Sequence, residues 1–187
     1  ISNNAAEIQE PIPGKRLILS IDSKIQKIAE EALGPRQGSV IVLKPATGEI
    51  LAMVTYPYYD SRIFMSDNVG KAYLELLNDP NKPMLNRAYQ SSYPVASTFK
   101  TVLTAAILEE NAISPDKKIY CSGELIYGGR SWSCHIKKPG HGALDLKNAL
   151  AQSCDIYFWT AGRDYLGIEN IVSYAQDFGY GKPTGID

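Results

Sequence analysis

From Thr101 to Glu110 the chain places Val102, Leu103, Ala105, Ala106, Ile107 and Leu108 around most of a helix's circumference. A helix so covered runs through a core instead of along a surface. Pro94 disfavours helix in the residue before it, so the helix starts after that point. Its first turn holds Ser97 and Lys100, three positions apart, which puts a hydroxyl and an amine on one face within reach of each other. Removing water from around an amine favours its neutral form, and a neutral amine beside a hydroxyl is a base beside a nucleophile. The helix N-terminus adds a preference for negative charge developing there. The spacing alone decides little: Ser-x-x-Lys recurs at Ser114 and Lys117, where Pro115 follows the serine directly and no apolar helix comes after. A capping serine with a surface lysine is the plain alternative.

With 187 residues, 44% of them hydrophobic and 21% charged, the chain is large enough for one good core and is not disordered. A net charge of -1 leaves no basic footprint for nucleic acid. No apolar run is long enough to cross a bilayer, and the first residues of this sequence do not read as a signal peptide. Ile1 at the start and the loop-like 181–187 stretch at the end lead us to expect a piece of a longer protein.

Residues 1–14 read as a polar lead-in and Arg16 to Asp22 as a short strand. A helix follows, capped by Asp22 or Ser23, with Ile25, Ile28, Ala29, Ala32 and Leu33 on one face and Gly34 closing it. Residues 38–44 and 49–56 form a hairpin about Pro45-Ala46-Thr47-Gly48, each strand apolar enough to be buried on both faces. Residues 57–67 read as a polar, aromatic loop, 69–78 as a short helix, and 79–92 as an irregular approach to Pro94. Beyond the core helix, 115–140 is loop-rich. Helices are expected over 144–153, with Asp145 as cap, over 156–166, and over 168–178 with Gly179 at its end. The chain has no internal repeat, and the pattern is that of one mixed α and β domain.

Ser153-Cys154-Asp155 falls at a helix junction ahead of the apolar Ile156-Tyr157-Phe158-Trp159, so its polar groups sit beside the core. A second hydroxyl there could carry a proton to a leaving amine, with Asp155 holding Lys100 or Ser153. A helix cap and a loop acid would look the same.

Taken together, Ser97-Thr98-Phe99-Lys100, Ser153-Cys154-Asp155 and the 178–187 stretch occur in an order that resembles the penicillin-binding proteins. The hairpin from Pro45 to Val54, Leu77-Asn78-Asp79-Pro80, Asn86-Arg87-Ala88 and Gly140-His141-Gly142 are similar to the transpeptidase domain of the elongation-type class B members, the penicillin-binding protein 2 subgroup. In that subgroup the second motif ends in Asp, as it does at Asp155. The likeness covers nearly the whole chain. It implies an α/β (α+β) transpeptidase fold of the penicillin-binding protein and serine β-lactamase type, here incomplete. Residues 1–57 would hold the lead-in, first helix and central-sheet hairpin, and 58–187 the helical part with both motifs.

The resemblance also implies roles. Ser97 would attack the penultimate D-Ala carbonyl of a peptidoglycan stem peptide, with Lys100 as base and Ser153 returning a proton to the leaving group. Asp155 would hold that pair, and the Ser97 N–H would be one oxyanion donor. β-Lactams would acylate the same serine, and no cofactor is required for the chemistry. Two departures stand out: Val95-Ala96 replaces the Pro-Gly usual before the serine, and the third motif, Lys-Thr-Gly or Lys-Ser-Gly, does not occur in this chain. Lys182-Pro183-Thr184-Gly185 comes too soon after Ser153 to serve. The piece alone is therefore expected to be inactive, with an apolar hairpin edge that invites pairing. A serine β-lactamase and a β-lactam sensor are the alternatives. For the parent, the likeness implies a membrane anchor, a place at the periplasmic face of the bacterial inner membrane, and glycan-polymerising and elongation-complex membrane proteins as partners.

All three cysteines and one of the two histidines, at Cys121, Cys134, His141 and Cys154, suit a tetrahedral Zn²⁺ site. Such a structural zinc would staple a long loop to the second motif through Cys154 and fix Ser153 and Asp155. Some members of the subgroup carry a structural metal at matching places. His135 is a rival ligand. A Cys121 to Cys134 disulfide with Cys154 a buried thiol is the other reading.

Overall fold

The computed structural model describes residues 12–65 and 67–186. Most of the expected lead-in, Ser66 and the final Asp187 lie outside them. The chain forms two compact units, Ile1–Ser92 and Tyr93–Asp187.

In the first unit, α1 (Ser23–Leu33) begins where Asp22 accepts hydrogen bonds from the Lys24 and Ile25 N–H groups at 2.8 and 3.1 Å, and ends at Gly34. Antiparallel β1 (Gly38–Leu43) and β2 (Ile50–Tyr56) pair with Val40 opposite Val54 and Val42 opposite Ala52. Those four residues face Ile25, Ala29 and Leu33 of α1. Burial on both faces is not what the structure shows: Ile41 and Leu43 stay exposed, because α1 covers one face and on the other the 85–87 stretch meets β2 at Met53 and Thr55 and leaves β1 open. The expected strand over Arg16 to Asp22 is also absent. That segment finds no ladder partner among the described residues, bonding to β2 only through Ser20 Oγ to Ile50 O and Asp22 N–H to Leu51 O. Helix α2 (Val69–Asn78) forms as expected.

The sequence reading put 58–92 with the helical part, yet these residues pack with the hairpin. The Arg87 N–H donates to Thr55 Oγ1 on β2 at 3.1 Å. Its guanidinium, almost fully buried, donates to the carbonyls of Asn81, Lys82 and Leu85. One side chain thus shapes the irregular stretch before Ser92.

In the second unit, a 3₁₀ turn (Ala96–Thr98) leads into α3 (Phe99–Glu109), whose Lys100, Val102, Ala106 and Ile107 are buried. The core around it is built from Ile113, Leu144, Leu146, Ala149, Ile156, Tyr157, Phe158, Ala161 and Leu166. The region expected to be loop holds two small antiparallel sheets. In one, β3 (Ile119–Cys121) pairs with β6 (Gly142–Leu144). In the other, β4 (Glu124–Tyr127) and β5 (Arg130–Ser133) form a hairpin about Gly128-Gly129. Leu144, expected in a helix, is taken by pairing with Ile119. Asp145 then caps α4 (Leu146–Ala151) by accepting from the Asn148 N–H at 2.8 Å. Helix α5 (Asp155–Ala161) passes through a π-turn, Gly162–Leu166, into α6 (Gly167–Asp177).

Helices α3, α4 and α6 share one ending. A residue with φ near +50 to +90° donates three positions back while the next N–H donates five back: Asn111 and Ala112, Ser153 and Cys154, Gly179 and Tyr180. This is the Schellman arrangement, where glycine is preferred because it carries no Cβ. Ser153 takes that place after α4. No helix among the described residues is long and apolar enough to cross a membrane.

Candidate active site

The second unit gathers Ser97, Lys100, Ser153 and Asp155 around one nitrogen. Lys100 Nζ lies 3.2 Å from Ser97 Oγ, 2.7 Å from Ser153 O, 3.0 Å from Ser153 Oγ and 2.6 Å from Asp155 Oδ1. Lys100 is only 7% exposed, with the Phe158 ring centroid 6.0 Å from Nζ. Desolvating an ammonium there costs free energy, which the Asp155 carboxylate offsets.

The four contacts differ in kind. The carbonyl and the carboxylate only accept; the two hydroxyls, at the longer distances, can donate or accept. In its amine form Lys100 has two N–H groups for the two obligate acceptors and a lone pair left for a hydroxyl proton. Ser153 meets Lys100 with both carbonyl and hydroxyl because the Schellman turn holds it at φ +51°. Residue-type reasoning missed that carbonyl; the signal available was a serine as the last residue of the expected helix, close to where glycine is preferred.

Ala96 has φ +46°, in the region where a Cβ is strained. The altered turn therefore keeps a glycine-like backbone with an alanine in it.

Asp155 Oδ2 accepts from the His135 N–H at 3.3 Å, with His135 Nδ1 3.8 Å away. Directly beside it lies the second cluster, in which the Sγ atoms of Cys121, Cys134 and Cys154 and a ring nitrogen of His141 all fall within 4.8 Å of one another. All three cysteines are free, so no disulfide joins Cys121 to Cys134. His141 Nδ1 sits 3.5 Å from both Cys121 Sγ and Cys134 Sγ. A tetrahedral centre with bonds of about 2.3 Å to sulfur and 2.0 Å to nitrogen has an S···N edge of about 3.5 Å, so these four side chains fit a metal ion. His135, the rival, groups instead with Cys134 and Asp155.

Burial pushes the Cys121 thiol up, but the N–H groups of His141 and Gly123 and the neighbouring cysteines outweigh it and hold it below the ordinary thiol value. Burial pushes Cys154 up to about 12. Burial first, and the charge of His135 second, hold His141 below the usual imidazole value. Gly140 lets the loop close: a Cβ there would run into the backbone of Cys121, Ser122 and Gly123.

A cavity of about 830 Å³ opens beside these groups, its lining including Ser97, Lys100 and Asp155 together with Leu103, Trp132 and Trp159. Sequence reasoning missed it, since its walls come from α3, β4, β5, α5 and α6, which only folding brings together.

Residues 38–187 match the model of the penicillin binding protein transpeptidase domain. The chain is 37% identical over 181 residues to the peptidoglycan D,D-transpeptidase MrdA of Haemophilus influenzae, covering 94% of this chain and 27% of that protein. It thus spans about a quarter of the relative's length. Among solved structures, penicillin-binding protein 2 of Pseudomonas aeruginosa superposes with a TM-score of 0.81 at 34% identity, over 94% of this chain and 38% of that one. Penicillin-binding protein A of M. tuberculosis, solved as its imipenem acyl-enzyme, gives a TM-score of 0.81 at 30% identity, over 88% of this chain and 40% of that one. With its fold, its motif order and its relatives in agreement, the chain belongs to the penicillin-binding protein transpeptidase family, on the penicillin-binding protein 2 side of it.

Proposed function

We propose that this chain supplies the nucleophile half of a peptidoglycan D,D-transpeptidase site, in which Ser97 is acylated by the D-Ala-D-Ala end of a stem peptide and by β-lactams. The observation that carries this is Lys100 Nζ, within hydrogen-bond distance of Ser97 Oγ, both Ser153 oxygens and Asp155 Oδ1. As an amine directed by Ser153 O and Asp155, Lys100 takes the Ser97 proton as Oγ bonds to the carbonyl carbon. The amide C–N bond then breaks, and Ser153 Oγ passes a proton to the departing nitrogen while taking one from Lys100. An acceptor amine later resolves the ester by the reverse path. The Ser97 N–H serves as one oxyanion donor. No cofactor takes part in these steps.

Cys121, Cys134, Cys154 and His141 hold a structural Zn²⁺ in this reading, supported by the tetrahedral edge lengths. That ion would supply no chemistry at Ser97. It would clamp the loop from Cys121 to His141 onto the Ser153–Asp155 turn. By likeness to the elongation-type enzymes, the parent works at the periplasmic face of the bacterial inner membrane alongside glycan-polymerising membrane proteins.

The test is intact mass of the complete protein after exposure to a labelled penicillin. One adduct on Ser97, absent from Ser97→Ala, is expected. An adduct that survives Ser97→Ala, or no adduct on either, refutes the assignment. A native mass heavier by one zinc, returning to the bare mass in a Cys121→Ser, Cys134→Ser variant, is expected for the clamp.

A further inference from the structure

We propose that Cys134, His135 and Asp155 form a second site for a thiophilic divalent cation, distinct from the structural one and sharing Cys134 with it, and that filling this site slows acylation of Ser97. The slowing rests on the acyl-transfer reading of Ser97; the site itself does not.

The three donors converge on one ring nitrogen. His135 Nδ1 lies 3.8 Å from Cys134 Sγ and 3.8 Å from Asp155 Oδ2, and one ligand atom from each of the three residues falls within 4.8 Å of the others. Thiolate sulfur, imidazole nitrogen and carboxylate oxygen are the donors that zinc takes. A tetrahedral zinc ion with bonds of about 2.3 Å to sulfur and about 2.0–2.1 Å to nitrogen and oxygen has S···N and N···O edges of about 3.5 and 3.4 Å. The observed distances are slightly longer, so this is the weaker of the two sites, and it suits the larger Cd²⁺ as well as Zn²⁺.

Each donor has capacity to spare. Cys134 Sγ also lies 3.5 Å from His141 Nδ1 in the structural cluster, and a thiolate can bridge two cations. Asp155 gives Oδ1 to Lys100 at 2.6 Å, while Oδ2 accepts the His135 peptide N–H at 3.3 Å and keeps a lone pair. Access differs as well. Cys121, Cys134 and Cys154 are at most 1% exposed, which closes the structural cluster, whereas the His135 side chain is half exposed. It gives the second site an entry and a solvent side, where water completes the coordination.

Asp155 connects this site to the reaction. As Lys100 takes the Ser97 proton, Nζ becomes positive 2.6 Å from Oδ1. A dication on Oδ2 of the same carboxylate repels that charge, so the proton transfer loses part of what favours it. By linkage, a positive Lys100 weakens the hold on the second ion in turn.

The complete protein carrying one Zn²⁺ is titrated with excess Zn²⁺ or Cd²⁺. Bound ions are counted by native mass, and acylation by a labelled penicillin is followed in the same samples. The wild type should take up a second ion. His135→Ala, which keeps the peptide N–H on Asp155, should hold the first ion and bind the second at least about tenfold more weakly. At saturating metal the acylation rate should fall at least about tenfold in the wild type, a part of the about 10²–10⁴ that a general base supplies. It should fall much less in His135→Ala, where any action of the ion on the penicillin itself is the same. A second ion that never binds, or that binds His135→Ala as well as the wild type, overturns the site. A second ion that is lost with His135 but leaves the rate unchanged overturns the slowing. A single ion that survives in Cys121→Ser and is lost in His135→Ala supports this site and dismisses the clamp. Absence of acylation at every metal level dismisses the acyl-transfer reading and with it the slowing, while the ion count still decides the site.

Discussion

Ser153 combines two properties that substitution can separate. Its backbone sits at φ +51° in the Schellman turn after α4, and its side chain hydroxyl lies 3.0 Å from Lys100 Nζ. Alanine and glycine both remove the hydroxyl, but only glycine relieves the strain. A residue with a Cβ in this region costs about 1–2 kcal/mol. Glycine returns about 0.4–1 kcal/mol of that through the freer unfolded chain. The carbonyl on Lys100, 2.7 Å away, stays in place in either variant. Ser153→Gly should therefore be more stable than Ser153→Ala by about 0.5–1 kcal/mol, a gap of about 1–4 °C in the thermal midpoint for a chain of this size. Acylation of Ser97 by a labelled penicillin should fall in both by about 10²-fold or more, and by the same factor within about threefold. A glycine variant no more stable than the alanine variant refutes the strain argument. Acylation restored in glycine alone would mean that Ser153 acts through backbone geometry and that its hydroxyl carries no proton.

Ala96→Gly should stabilise the chain by a similar fraction of a kcal/mol, about 0.5, and Ala96→Val should destabilise it by more; urea midpoints check both, and equal effects would remove the significance of φ +46°. Tyr157 is fully buried, and among the described residues its Oη is the one such side-chain atom without a hydrogen-bond partner. Tyr157→Phe should thus change stability by less than about 0.5 kcal/mol or raise it, and a loss above about 1 kcal/mol would reveal a partner for that hydroxyl. Arg87→Met removes a donor from three carbonyls, of which Lys82 O and Leu85 O keep the Leu85 N–H and Thr55 Oγ1 while Asn81 O is left without one among the described residues, and should cost about 1–3 kcal/mol, with hydrogen exchange rising over 81–87; unchanged exchange there would show that the stretch is held by other contacts. Treatment with a strong chelator should raise exchange and proteolysis across 121–141 while α1 stays protected, and identical protection with and without chelator would dismiss the metal clamp.

Much of this arrangement was legible in the sequence because it depends on local spacing. The reach of Lys100 to Ser97 follows from three residues of helix, α1 from Asp22 and Gly34, and the hairpin from the turn residues between two β-rich runs. What was not legible depends on partners distant in the chain. The strand expected over Arg16 to Asp22 has the right composition, but a strand needs a ladder, and no segment among the described residues supplies one. Leu144 reads as helix by periodicity and becomes strand because Ile119 is opposite it. The 115–140 region, rich in glycine and polar residues, hid two small sheets, one pair of which is only three residues to a strand. Arg87 gave no sign that it would be buried, since its three acceptors are backbone carbonyls and every residue has one.

The positions of the cysteines tie the two halves of the site together. Cys121 ends β3 just before the β4–β5 hairpin begins, and Cys134 follows β5 directly, so the cluster grips both feet of the ribbon that carries Trp132. Cys154 lies between Ser153, which faces Lys100 through two oxygens, and Asp155, which pairs with it. The peptide after Cys134 donates to the other oxygen of Asp155. A single four-residue cluster therefore sets the distance between one wall of the cavity and the proton-carrying groups at Ser97. Loosening it should disturb the ribbon and the acylation of Ser97 together, whereas Trp132→Ala should disturb the ribbon foremost. Comparing hydrogen exchange over 124–133 and the rate of Ser97 acylation by a labelled penicillin in Cys134→Ser and Trp132→Ala of the complete protein separates the two: a cysteine variant that raised only the exchange would show the cluster to be a support for the hairpin alone, with Ser153 and Asp155 held by α4, α5 and Lys100.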